Sequence, residues 1–175
     1  GGTVLSQGSL QFTNLGGAGT GALTIGDANS GAGDLSVMIT ARPAAGNYLT
    51  APIVVAAGTT GAVTIGTTAG VTGVGALGFN GIALNRDVTF RSDGADRTEY
   101  SGITGTGNVT FAGSTRATVG TVAANTFVGD VTVTSTAANA LQVGVATAAA
   151  LNGIPDTALV TLGAGSTLAM SASSE

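Results

Sequence analysis

The segment RSDGADRTEY at 91–100 is the densest group of ionisable side chains in this sequence. Its charged members are Arg91, Asp93, Asp96, Arg97 and Glu99. Carboxylates can act as general acids and bases, and several in one loop could offer the hard oxygen ligands that Ca²⁺ takes. The spacing matches no EF-hand, and the two arginines offset the acids. The pattern therefore favours a solvated, protruding loop. The alternatives for the same segment are, in order of preference, an intermolecular contact, a calcium site and a catalytic site.

Other routes to chemistry are scarce. The chain has no His and no Cys, so Ser-His, Cys-His and thiolate or imidazole metal sites are excluded. The sequence GDANSGAGD at 26–34 resembles a glycine-rich calcium loop, but without the nonapeptide period it predicts a turn. We therefore expect no enzymatic activity, no cofactor and no metal.

The charge balance and the apolar runs limit the partners. Nine acids stand against five arginines, which gives a net charge of −4 and argues against nucleic acid. Every apolar run is much shorter than the ~20 residues of a membrane-spanning helix. We expect a protein that does not span a membrane.

The composition predicts an all-β fold. Thirty glycines and very little Lys or Glu argue against helices, whereas 43% hydrophobic residues argue against disorder. Short runs in which apolar residues alternate with Thr, Ser or Gly predict strands. These runs lie at 8–12, 21–26, 33–39, 61–66, 86–90, 107–111, 129–134 and 158–163. The five phenylalanines are too scattered for a stacking platform, and we expect them to fill core or corner positions.

The spacing of the strands predicts a repeat. Val88, Val109 and Val131 each follow an Asp or Asn and recur at a nearly constant interval. GALTIG at 21 and GAVTIG at 61 are separated by about twice that interval, which suggests two further units. Repeats of about twenty residues rich in β-branched side chains indicate a β-solenoid, here of about eight rungs at ~4.8 Å per rung. The alternative is a β-sandwich, which also has short alternating strands. We expect residues 1–175 to form one domain, or a segment of a longer solenoid.

The stretch from Gly105 to Met170 resembles the autotransporter-associated β-strand repeat of large bacterial surface proteins. That family has three ordered strand motifs, G-x-G-x-[VL]-x-[FL]-x-G, N-T-[YF]-x-G-x-[TV]-x-[VI] and [TA]-L-x-[VL]-G. The matching residues are Gly105, Gly107, Val109, Phe111 and Gly113, then Asn125, Thr126, Phe127, Gly129, Val131 and Val133, then Leu141, Val143 and Gly144. The resemblance implies a right-handed parallel β-helix, secretion to a bacterial surface, and a role as a stalk or adhesin.

These features predict an extracellular structural building block of a bacterial filament or surface layer that self-associates through strand edges. Residues 1–15, an alternating run without a hairpin partner, are expected to cap the solenoid or to complete a neighbour's sheet. The alternative is an adhesin passenger module that binds a glycan or host protein through one face.

Overall fold

The computed structural model describes residues 1–41, 48–49, 51–58, 60–72, 75–94, 97–138, 140–143 and 153–170. These ranges hold sixteen β-strands and one 3₁₀ turn at Leu15–Ala18. The strands are β1 (Thr3–Leu5), β2 (Gly8–Phe12), β3 (Leu23–Ile25), β4 (Leu35–Ile39), β5 (Tyr48–Leu49), β6 (Ile53–Val55), β7 (Val63–Thr67), β8 (Ala76–Leu84), β9 (Val88–Ser92), β10 (Arg97–Gly105), β11 (Val109–Gly113), β12 (Arg116–Val119), β13 (Val131–Val133), β14 (Leu141–Val143), β15 (Val160–Leu162) and β16 (Leu168–Met170). Among the described residues, no helix has the length and apolar character needed to cross a membrane.

The strands stack into two parallel sheets. The larger sheet has the order β1-β3-β6-β8-β10-β12-β14-β16, with β5 also paired to β8, and the smaller has the order β2-β4-β7-β9-β11-β13-β15. The chain alternates between the sheets as it advances, so each turn pairs with the turns before and after it. The fold is a right-handed parallel β-helix of about six turns, which confirms the predicted β-solenoid and, roughly, its number of rungs.

The larger sheet turns a corner inside β8 and β10. Gly81 and Gly102 occupy equivalent positions there with φ of +77° and +64°, a left-handed conformation that favours glycine. Phe79 and Ile82 are both buried while Asn80 between them is exposed, so the inward alternation shifts at this point. Three faces result. Face 1 comprises β5, the first halves of β8 and β10, β12, β14 and β16; face 2 comprises β1, β3, β6 and the second halves of β8 and β10; face 3 is the smaller sheet.

The register on face 3 confirms the predicted repeat. Val109 is paired with Val88 on one side and with Val131 on the other, so the nearly constant interval in the sequence is the length of one turn. The predicted equivalence of GALTIG and GAVTIG is wrong. GALTIG lies in β3 on face 2 and GAVTIG in β7 on face 3, and β3 pairs instead with β6. The same local pattern suits a strand on either face, and the early turns carry longer connections.

The core is a column of apolar side chains inside the solenoid. Phe79 and Tyr100 stack with ring centroids 5.7 Å apart, and Phe90 lies 4.5 Å from Tyr100. All five phenylalanines are 7% exposed or less, so of the core and corner positions expected for them, the core is the one they occupy; they are Phe12, Phe79, Phe90, Phe111 and Phe127. Each such ring contributes about 1.5–3 kcal/mol by leaving water.

Side chains at the corner before face 3 link successive turns. We call them the corner ladder, because an Asp or Asn oxygen accepts the backbone N–H one turn further on. The bonds run from Ala62 N to Asp34 (2.9 Å), Asn108 N to Asp87 (2.7 Å), Asp130 N to Asn108 (2.9 Å) and Leu159 N to Asp130 (3.2 Å). The ladder explains why an Asp or Asn precedes the repeated strands.

Candidate functional site

The structure distributes the charged segment 91–100 over two faces. Arg91 lies in β9 on face 3, whereas Arg97 and Glu99 lie in β10 on face 1. Asp93 follows β9, and Asp96 lies outside the described residues. This arrangement differs from the protruding, solvated loop that the sequence predicts, because three of the charged side chains belong to strands. A role of the segment in intermolecular contact stays a prediction.

Arg91 and Asp93 form an ion pair at the surface, with the Arg91 side chain half exposed. Asp93 also accepts hydrogen bonds from the backbone N and the Oγ of Ser114, at 3.0 and 3.2 Å. Ser114 lies one turn further on, so Asp93 ties two turns together much as the corner ladder does. An exposed ion pair of this kind contributes at most ~1 kcal/mol.

Glu99 is buried on the outer side of face 1, with 3% of its surface exposed. Arg97 Nε donates to one carboxylate oxygen at 2.8 Å, and the Tyr48 hydroxyl donates to the other. Tyr48 reaches Glu99 across Gly78, where an added Cβ would lie 2.7 Å from the tyrosine ring. Desolvation, reinforced by the bond to Glu99, raises the pKa of Tyr48 to about 12.

Two hydroxyl side chains extend this network. Thr121 Oγ1 lies 3.5 Å from Tyr48 Oη and 2.8 Å from Ser101 Oγ, and Ser101 Oγ accepts from the Thr121 backbone N at 3.0 Å. We call this group of side chains the buried network, and it spans several turns. Its members are Arg97, Tyr48, Glu99, Thr121 and Ser101. Both Glu99 oxygens have charged or hydroxyl donors, which is the arrangement of a structural ion pair.

The 26–34 segment forms the predicted turn. Asp27 accepts hydrogen bonds from Ser6 Oγ at 2.6 Å, from Asn29 N at 2.8 Å and from Ser30 Oγ at 3.2 Å. These bonds, that of Ser6 most of all, lower the pKa of Asp27. Asp34 belongs to the corner ladder. Across the described ranges, no three acidic side chains come together as a metal site would require.

The last described turn leaves apolar core positions open. Leu162 and Met170 occupy inward positions in register with Val133 and Val143. Leu162 is 46% exposed and Met170 is 72% exposed, whereas Val133 is fully buried. The core column therefore continues to the outermost strands β15 and β16.

The opposite end has the same character. β1 and β2 are its outermost strands, and they pair with β3 and β4 of the same chain to form the first turn. Leu5 and Leu10 point inward there and are only partly buried. None of β1, β2, β15 and β16 contains a charged residue or a proline. Charges and prolines are among the usual protections of an exposed strand edge.

A row of hydroxyl side chains runs along the outer side of face 3. This hydroxyl row consists of Ser9, Ser36, Thr64, Thr89, Thr110, Thr132 and Thr161, each in register with the next. Every member is partly or fully exposed. A shallow cavity of about 150 Å³ opens beside Thr89 and Thr110, with Ala62 and Arg86 in its lining.

No family model, curated protein or solved structure matches this chain.

Sequence reasoning missed the buried network as a structural unit, and it expected open strand edges at the ends of the solenoid without locating Leu162 and Met170 there. Tyr48 and Glu99 lie far apart in the chain, so no local motif joins them. The hydroxyl row had a visible signal, since Thr89, Thr110 and Thr132 recur with the predicted period.

Proposed function

We propose that this chain is a non-enzymatic structural building block of a bacterial extracellular filament or surface layer, which self-associates end to end through its strand edges. The observation that carries the proposal is the exposure of inward apolar positions, Leu162 and Met170, on outermost strands that lack charge and proline. Exposed core positions on open strand edges favour continued stacking.

A second copy of the chain fits these edges. Every pairing on face 3 is parallel, so β2 of a second copy could stack on β15 with the same polarity. Leu10 of the second copy would then pack against the exposed Leu162 of the first. Such a contact joins two different ends, and head-to-tail contacts of this kind produce open filaments. The resemblance of residues 105–170 to autotransporter repeats supports a bacterial surface as the location.

The test is sedimentation velocity and negative-stain electron microscopy of the purified protein across a dilution series. We expect filaments or short end-to-end oligomers for the natural sequence. Leu162→Asp would place a carboxylate in the apolar junction between two copies. It should raise the dissociation constant of the end-to-end contact at least tenfold. Thr161→Asp is the matched control, because Thr161 is the adjacent, outward residue of the same strand.

A chain that stays a single short rod at all concentrations would contradict the proposal. Equal effects of Leu162→Asp and Thr161→Asp would also contradict it, because contact through the core column predicts a difference between the inward and the outward position.

A further inference from the structure

We infer that the outer side of face 3 binds an extended, neutral polysaccharide chain that lies along the solenoid axis. The binding groups are the hydroxyl row and the corner ladder beside it. This inference goes beyond the structural role proposed above, because it concerns a side of the rod and not its ends.

The repeat of the groups carries the inference. Within one turn, the ladder residue precedes the hydroxyl residue by two positions, as in Asp87 and Thr89 or Asn108 and Thr110. Two residues along a strand span ~6.6 Å, and the next pair follows at ~4.8 Å, one turn further. The spacing between turns is close to the length of one sugar unit in an extended glycan. An extended β-1,4-linked chain can therefore place one sugar over each turn. Because successive sugars are turned over, the same sugar hydroxyls recur at every second turn, and a Thr hydroxyl, which both donates and accepts, can meet either face.

The chemistry of the pairs suits sugar hydroxyls. An Asp or Asn oxygen accepts a hydrogen bond, and a Thr hydroxyl both donates and accepts. Within the part of the chain that the structure describes, no side-chain hydrogen bond engages the hydroxyls of Thr89, Thr110 and Thr132. These threonines are partly exposed, unlike the buried, paired Glu99 and Ser101 on face 1. Face 3 thus has polar groups that can contact a ligand.

The cavity lies in the middle of this array. Ala62 occupies a ladder position but carries no side-chain oxygen, and the space beside it is bounded by Asp87, Asn108, Thr89 and Thr110. A concave region with a few convergent polar groups is the usual form of a small-ligand contact. Arg86 and Asp87 both line it and carry opposite charges, which favours a neutral ligand over an ionic one.

The phenylalanines are buried in the core, so each sugar would contact polar groups only. Single contacts of that kind are weak, and useful affinity must come from several turns acting together. The inference therefore predicts that affinity rises with the number of sugar units.

The inference can be tested by isothermal titration calorimetry, which measures the dissociation constant for cellohexaose, an extended β-1,4-linked glucan. We expect binding that strengthens from cellobiose to cellohexaose, and at least tenfold weaker binding of maltohexaose, which has the same sugar in a coiled chain. The double variant Thr89→Val, Thr110→Val keeps the β-branched shape and removes two hydroxyls. It should weaken cellohexaose binding about tenfold or more, since each lost hydrogen bond costs about three- to tenfold.

The matched control is the double variant Thr24→Val, Thr104→Val, which removes outward hydroxyls from face 2. It should change cellohexaose binding less than twofold. Absence of cellohexaose binding at millimolar concentration would overturn the inference, as would equal losses in the two double variants. The inference would also be overturned if the Thr89→Val, Thr110→Val variant lost self-association and still bound cellohexaose normally. That result would mean that the outer side of face 3 contacts a second copy of the chain. The Leu162→Asp protein should bind cellohexaose normally. Self-association therefore tests the end-to-end proposal and cellohexaose binding tests this inference, so the two can fail separately.

Discussion

Replacing Tyr48 by Phe tests whether the buried Glu99 carboxylate depends on a partner from another turn. The change removes one hydroxyl and keeps the ring that crosses Gly78. Glu99 is 3% exposed, so water cannot readily replace the lost donor. Hydrogen bonds to charged groups contribute about 1.5–3 kcal/mol, and we expect Tyr48→Phe to lower the free energy of unfolding by that amount.

The measurement is equilibrium urea unfolding at pH 7, followed by circular dichroism and by intrinsic fluorescence to check that the transitions coincide. Arg91→Gln is the control, because it breaks an ion pair whose arginine is half exposed. We expect that control to cost no more than ~1 kcal/mol. A Tyr48→Phe protein within ~0.5 kcal/mol of the natural sequence would refute the reasoning, since it would mean that the carboxylate does not need the phenol.

Two further experiments test the pH dependence of stability and the close approach of neighbouring turns. The pKa of Tyr48 is raised to about 12 from its usual 10, mainly by desolvation and then by the bond to Glu99, and burial also raises the pKa of Tyr100. The folded state keeps these protons when the unfolded chain has lost them. The tyrosine contribution to the free energy of unfolding should therefore be constant from neutral pH to about pH 10 and should fall as pH rises from 10 to 12. Urea unfolding across this range should show a shallower fall for Tyr48→Phe, and an unchanged slope would contradict the assignment. Gly113 has φ of +118°, and an added Cβ would lie 2.1 Å from the Ser92 carbonyl oxygen, so Gly113→Ala should cost about 2–4 kcal/mol. Gly17→Ala, where the nearest atom is 3.8 Å away, should be nearly neutral in thermal unfolding, and similar melting temperatures for the two variants would count against the close approach.

The regular turns were predictable from sequence because a stacked strand must repeat its inward pattern at the length of a turn. Val88, Val109 and Val131 show that period directly, and the register follows it. The first half was harder to predict. Leu23 pairs with Ile53, a wider separation in sequence than that between Val88 and Val109, so connections of variable length obscure the period there.

The buried network could not be predicted, because burial on the outer side of a strand depends on which distant segment covers it. Glu99 has the alternation and charge of a solvent-facing residue, but it is 3% exposed and is bonded to Tyr48, which lies 51 residues earlier in the chain. The corner that Gly81 and Gly102 form was likewise hidden, since thirty glycines in one chain give no local signal of which ones turn a sheet.

The register between β9, β11 and β13 has a consequence for how such rods change length. Residues one turn apart occupy equivalent sites, and each of these strands pairs with the strands of the turns beside it. Duplication of one sequence unit in this region would insert a complete layer without altering the pairing of the layers on either side. Each inserted layer would lengthen the rod by ~4.8 Å. The length of the rod can therefore evolve in discrete steps while its cross-section stays the same.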